Sequence, residues 1–195
     1  GNDSHKHRAR LDPLADLDLT PGYDAIDRRA DDRTLQIDLG RCIMCADCAP
    51  ACPTGKLSFT NDFKLACTDR AGLVISASRP APDPVKVSQA LRRRFGRSLK
   101  LRSVSVGGCN GCELEVNALT NVNFDIGRYG IDIVASPRHA DGLVLTGPIT
   151  RNMVQALELC WDAMPDPKLV IAVGACAISG SPFEGSPAIE RGFLE

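Results

Sequence analysis

GLVLTGPITRNMVQALELCWDAMPDPKLVIAV, residues 142–173, reads as strand, helix, strand. Gly142 to Leu145 is a short apolar run. Thr150 stands where a helix cap belongs, and Met153, Leu157, Cys160, Trp161 and Met164 follow at helical spacing as one apolar stripe. Pro165-Asp166-Pro167 stops the helix. Leu169 to Val173 is a continuous apolar run of the kind buried in a parallel sheet. The same alternation extends upstream. Val104 to Val106 is a strand ending in Gly107-Gly108, Glu113 to Leu119 a helix, and Ile131 to Ala135 another strand. Strands alternating with helices imply an α/β fold with an open parallel sheet. Ligands of such sheets sit beyond the carboxyl ends of the strands.

Two cysteine-bearing turns fall at those ends. Gly107-Gly108-Cys109-Asn110-Gly111-Cys112-Glu113 opens a helix, and Gly174-Ala175-Cys176 follows a later strand. Glycines let the backbone approach a bulky ligand, and the helix beginning near Glu113 turns its positive end toward an anion. A lone C-x-x-C also fits a redox dithiol or half a zinc site. Cys176 at an equivalent strand end strengthens the ligand reading. Cys160 lies on the apolar stripe and reads as core.

A third group lies upstream: Cys42-Ile-Met-Cys45-Ala-Asp-Cys48-Ala-Pro-Ala-Cys52-Pro53, the C-x₂-C-x₂-C-x₃-C-P run of bacterial ferredoxins. Thiolates at this spacing let a tight loop wrap a [4Fe–4S] cubane with its N–H groups aimed at sulfur. Zinc sites use paired C-x₂-C knuckles instead. The fourth cysteine of such a run ordinarily serves a second cluster, and there is no second run here. Either Cys52 completes its own cluster or Cys67 does. Cys67 also reads as a small core residue.

The 195 residues carry nine Cys, an odd number that fits ligation better than a disulfide framework. A net charge of −1 gives no support to a nucleic-acid partner, and 5% aromatics none to a base-stacking surface. No apolar run approaches the ~20 residues of a membrane span, and Gly1 to Arg10 lacks the apolar core of a signal peptide.

Residues 1–33 read as an irregular lead; His5 and His7 within it carry no assigned role. Residues 34–78 form a small ferredoxin-like α+β module, with short strands at Arg33 to Leu39, Leu57 to Phe59 and Leu73 to Ile75. The proline-rich stretch beginning at Ser78 is a linker, 79–90. Residues 91–195 form the α/β domain, entered through a basic helix over Val85 to Leu99. Arg92, Arg93, Arg94, Arg97 and Lys100 crowd there, as a solvated face or a docking surface for a partner or acidic headgroups.

The segment Val106 to Val116 resembles the proximal-cluster motif of the small subunit of formate hydrogenlyase and related energy-converting [NiFe] hydrogenases. So do Arg128-Tyr129-Gly130-Ile131, Ser136-Pro137-Arg138-His139-Ala140-Asp141, Thr146-Gly147-Pro148-Ile149-Thr150-Arg151 and the stretch from Pro165 through Cys176. The likeness spans about residues 91–185 and reaches the small cluster subunit of respiratory complex I. That subunit has adjacent cysteines where this chain has Cys109 and Cys112 two apart, so the spacing favours the hydrogenase branch. Arg33 to Ala66 is similar to half of the two-cluster ferredoxin subunit of the same complexes, and the chain resembles a fusion of the two.

The resemblance implies a flavodoxin-like domain and a [4Fe–4S] cluster on Cys109, Cys112 and Cys176, in addition to one on Cys42, Cys45, Cys48 and Cys52. Its fourth thiolate belongs to a Gly-Cys-Pro-type motif that is not reached before Glu195. Of a truncated product, a non-cysteine or partner ligand, and an absent cluster, the first is the expectation. The resemblance further implies electron relay to a hydrogenase-type large subunit that carries the catalytic metal, alongside membrane subunits and other iron–sulfur subunits. The chain would then be cytoplasmic and peripheral on the membrane. Glu113 is the candidate for proton transfer, the alternative being a carboxylate that offsets the helix dipole. Arg138 and His139 are candidates for the partner interface. Rival readings are a complex I-like NADH/quinone or hydrogenase-related subunit without hydrogenase activity, a structural zinc module, and a free ferredoxin-type carrier.

Overall fold

A computed structural model describes residues 8–11, 25–28, 35–53, 55, 57–80, 82, 85, 89–96 and 98–194. The chain divides into two compact units, Gly1–Lys86 and Val87–Glu195. His5, His7, Arg97 and most of the residue 1–33 lead lie outside the described residues, but the described parts of that lead are not irregular: Arg8–Leu11 and Ile26–Arg28 are strands, held by pairing with strands further along the chain.

The first unit is built from short antiparallel strands. β1 (Arg8–Leu11) pairs with β4 (Leu57–Thr60), and β2 (Ile26–Arg28), β3 (Leu35–Asp38) and β5 (Val74–Ser76) form a second sheet in the order β2-β3-β5. Between β3 and β4 lie the cysteine loop and the single turn α1 (Cys48–Ala51). In β3 the alternation of Leu35 and Ile37 with Gln36 and Asp38 gives one buried and one wetter face. Leu35, Ile37, Leu39, Leu57, Leu73 and Ile75 are buried.

The second unit runs α2 (Gln89–Phe95), β6 (Leu99–Ser105), α3 (Gly111–Ala118), β7 (Ile131–Ile133), β8 (Gly142–Thr146), α4 (Arg151–Asp162), β9 (Leu169–Val173) and α5 (Ala175–Ser179). The four strands are parallel in the order β7-β6-β8-β9. This is the flavodoxin-like order, with the first and third strands adjacent at the point where chain direction across the sheet reverses. Leu143 and Leu145 of β8 pack with Leu157 of α4 and with Met164 on one face. Val144 packs with Leu101 and with Val116 of α3 on the other. Each such side chain contributes about 1.5–3 kcal/mol by leaving water.

Several sequence expectations shift. The basic helix is Gln89–Phe95 instead of Val85 to Leu99. It stops at Gly96, where any side chain would stand 2.2 Å from the Arg92 carbonyl oxygen, and Leu99 already pairs with Ile131 in the sheet. The strand expected over Val104 to Val106 therefore begins at Leu99. The fully buried strand is β8; the apolar run of β9 has a described neighbour on one side only, and Ile171 is 38% exposed. Thr150 occupies the cap position of α4 without a side-chain cap bond. Its side chain instead lies against Gly107, where a Cβ would come within 2.4 Å of Thr150 Cγ2.

Candidate functional site

Both cysteine groups are placed by backbone geometry that the sequence carries locally. In the first unit, the N–H groups of Arg41 and Cys42 both donate to the Asp38 carbonyl at 3.1 Å, folding the chain back as β3 ends. The Asp38 carboxylate accepts the Gly40 N–H at 2.9 Å, and both terminal guanidinium nitrogens of Arg70 donate to it, one at 2.7 Å. This anchors the start of the loop to the segment leading into β5. Met44 and Ala46 then adopt left-handed conformations at φ 59° and 67°. The Met44 N–H donates to Cys42 Sγ at 3.4 Å, and Met44 Sδ lies 3.8 Å from the same sulfur. Left-handed residues interleaved with cysteines turn N–H groups toward the enclosed side, as an anion-binding backbone does.

Cys45 is exposed, Cys42 and Cys48 are half-buried and Cys52 is buried. Burial pushes the Cys42 thiol up, the Met44 N–H opposes this, and charge on Cys45 and Asp38 adds to it. Burial also raises Cys48, followed by charge on Cys42 and Cys45. The three thiols thus form one electrostatic group. Cys67 stands in the loop before β5, its Sγ 2.9 Å from where a Cβ on Gly72 would lie.

In the second unit, Cys109, Cys112 and Cys176 lie at the carboxyl edge of the sheet, as expected. Asn110 in the left-handed region (φ 70°) opens α3 and places Cys112 in its first turn. Gly174 (φ 86°) leads from β9 into α5 and Cys176. A Cβ on Gly174 would stand 2.4 Å from Cys112 Sγ, so the sulfur rests against bare backbone. Burial raises the Cys112 thiol, and charge on Cys176, Glu113 and Cys109 raises it further. Cys176 is raised by burial and then by Cys109. The arrangement brings together all three cysteines that the sequence singled out.

Glu113 points back into the sheet. Its Oε1 accepts a hydrogen bond from Ser105 at the end of β6 and another, at 2.9 Å, from the fully buried Thr146 at the end of β8. Partial burial works to raise its carboxyl, but the Ser105, backbone and Thr146 hydrogen bonds together hold it below the ordinary range. Ser105 and Thr146 were not legible as site residues. The available signal was their shared register, since they are Cα partners across β6 and β8. Arg191 was also missed; its guanidinium donates to the carbonyls of Cys176, Ala177 and Ile178 at 3.0–3.3 Å and closes the end of α5. Cys160 packs against the α4 core, as its stripe predicts. Arg138 and His139 lie in the turn before β8, at the opposite edge of the sheet from the cysteines.

Known proteins match the chain in both units. Residues 35–55 match the model of the 4Fe-4S binding domain, and residues 109–193 match that of the NADH ubiquinone oxidoreductase 20 kDa subunit. The chain is 46% identical over 93 residues to the probable membrane-bound hydrogenase subunit mbhJ of Pyrococcus furiosus, covering 48% of this chain and 56% of that protein. It is 46% identical over 94 residues to formate hydrogenlyase subunit 7 of Escherichia coli, covering 48% of this chain and 37% of the relative. It is 44% identical over 82 residues to an NADH-quinone oxidoreductase subunit of Bacteroides thetaiotaomicron, covering 42% of each. The alignments thus span roughly two fifths to a little over half of these curated relatives. No helix among the described residues is long and apolar enough to cross a membrane.

Proposed function

We propose that this chain is an iron–sulfur electron-transfer subunit of a membrane-associated [NiFe]-hydrogenase-type complex. The observation that carries the reading is Cys112 seated against Gly174, with Cys109 and Cys176 beside it at the carboxyl edge of a flavodoxin-like sheet. A Cβ on Gly174 would collide with Cys112 Sγ, so the bare backbone there lets this sulfur sit close to the turn that carries Cys176. Each three-thiol group is coupled electrostatically, yet among the described residues no three His, Cys, Asp or Glu side chains converge on a single metal ion. The C-x₂-C-x₂-C-x₃-C run of the first group suits a cubane better than the paired C-x₂-C knuckles of a tetrahedral zinc.

Cys42, Cys45, Cys48 and Cys52 would hold one [4Fe–4S] cluster, and Cys109, Cys112 and Cys176 most of a second. When bound, the clusters supply one-electron acceptance and release. The chain's own residues supply the setting. Met44 N–H donates toward Cys42, Gly174 lets sulfur approach backbone, and Glu113 pins the first turn of α3 to β6 and β8. Because its hydrogen bonds favour the carboxylate, Glu113 would enter any proton transfer as an acceptor. The catalytic metal would reside on a large subunit docked beside the second group. Leu114, Val122, Phe124 and Tyr129, all after Cys112, are exposed apolar side chains of the kind a protein partner covers. Membrane subunits and other iron–sulfur subunits complete the proposed assembly, with the chain peripheral on the cytoplasmic side.

The description of the family model over residues 109–193 favours one second reading, a subunit of a complex I-like NADH/quinone oxidoreductase. The paired cysteines of the co-purifying large subunit, or their loss, would separate the two.

Iron and acid-labile sulfide per chain in anaerobically purified protein, with EPR after dithionite reduction, test the proposal. About eight irons correspond to two cubane clusters and about four to one. Zinc in place of iron would overturn the electron-transfer reading.

A further inference from the structure

At the opposite edge of the second unit's sheet from its cysteines, the strands begin around a cleft of about 440 Å³ lined by Arg94, Phe95, Lys100, Arg138, His139 and Asp141. Ser98, Ala140 and Pro165 complete the lining, in which Arg94, Lys100 and Arg138 are cationic and Asp141 acidic, in a chain whose net charge is −1. Asp141, the acidic member, is already engaged: its Oδ2 accepts the backbone N–H of Lys100 at 2.8 Å. Arg94, Lys100, Arg138 and His139 are exposed, and Arg92 and Arg93 extend the positive surface along α2.

We propose that this cleft docks an acidic segment of a partner polypeptide, whose Asp or Glu carboxylates enter between Arg94 and Arg138. Planar guanidinium groups match carboxylates in paired hydrogen bonds. Phe95 and Pro165 add an apolar wall for the methylene stems of the incoming side chains. An anionic lipid surface is the competing occupant. It is disfavoured because a concave cleft that sets guanidinium groups beside an apolar wall suits an inserted side chain better than a flat array of headgroups. Within the second unit the cleft lies at the edge of the sheet away from Cys109, Cys112 and Cys176.

The test uses the full chain and fluorescein-labelled octaglutamate, followed by fluorescence anisotropy at low ionic strength. Binding should weaken with added salt. It should fall about tenfold or more in the double variant R94Q/R138Q, each lost charge-assisted contact removing a comparable share. R151Q, an exposed charge at the start of α4 and outside the cleft, should bind as the parent does. A matching melting temperature for R94Q/R138Q separates lost binding from lost fold. No binding, or equal binding by parent and double variant, overturns the proposal. So does cleft-dependent capture by phosphatidylglycerol vesicles without octaglutamate binding, which would assign the surface to lipid headgroups.

Discussion

The hydroxyl of Thr146, at the end of β8, donates to Glu113 Oε1, in the first turn of α3, at 2.9 Å. With the Ser105 hydroxyl on the same oxygen, this ties the turn that carries Cys112 to the two central strands of the sheet. Thr146→Val keeps the shape and removes the donor. Because Thr146 is fully buried, the loss should destabilise the chain by about 1–3 kcal/mol, read as a lower urea midpoint at unchanged slope. In cluster-loaded protein the EPR signal of the second site should shift while that of the first does not. An unchanged midpoint and spectrum would remove Thr146 from the site.

Gly174→Ala tests the cradle directly. The new methyl would meet Cys112 Sγ at 2.4 Å, at a φ of 86° that disfavours any side chain. Iron should fall from about eight to about four per chain, with the ferredoxin-type EPR signal retained. Full iron content in this variant would mean that the second site assembles without the bare backbone at Gly174.

At the junction of β6 and β8, close packing and φ can be separated. Gly147 (φ 89°) and Gly185 (φ 78°) both sit in the left-handed half of backbone space. A Cβ on Gly147 would stand 2.6 Å from the Gly108 nitrogen, whereas nothing lies within 4 Å at Gly185. Gly185→Ala should therefore cost about 1–2 kcal/mol from conformation alone. Gly147→Ala should cost clearly more, because the obstructing atom is backbone and cannot swing away. Equal losses in thermal melts would show that the Gly108 contact is easily relaxed.

The α/β alternation was readable because its elements are regular. Leu157, Cys160, Trp161 and Met164 repeat at helical spacing, and the cysteine turns follow apolar runs at strand ends. What could not be read depends on contacts distant in sequence. Thr146 looks like any β-branched strand residue until register sets it beside Ser105 and within reach of Glu113, which is 33 positions away. The pairing of Asp38 with Arg70 bridges 32 positions with no local signal. The length of α2 was overread because its basic run continues beyond Gly96, the position at which the helix has already ended. For β9 the apolar composition matched a central strand, but composition does not say how many neighbours a strand has.

The C-x₂-C-x₂-C-x₃-C run leaves Cys52 and Cys67 as candidates for the fourth ligand of the proposed first cluster, and the structure sets them in different surroundings. Cys52 follows directly on α1, one turn beyond Cys48, and its N–H donates to the Ala49 carbonyl at 3.3 Å. It is 6% exposed. Cys67 lies in another loop, with its sulfur packed against Gly72. Cys52 stands at the spacing of the ferredoxin-type run, whereas contact with a glycine backbone gives Cys67 a packing role. Cys52→Ser should therefore lower iron from about eight toward about four per chain and remove the ferredoxin-type EPR signal. Cys67→Ser should keep both and change only the melting temperature. The reverse pattern would assign the ligand to Cys67. Retention of iron in both single variants, with loss only in the double, would mean that either thiol can close the cubane.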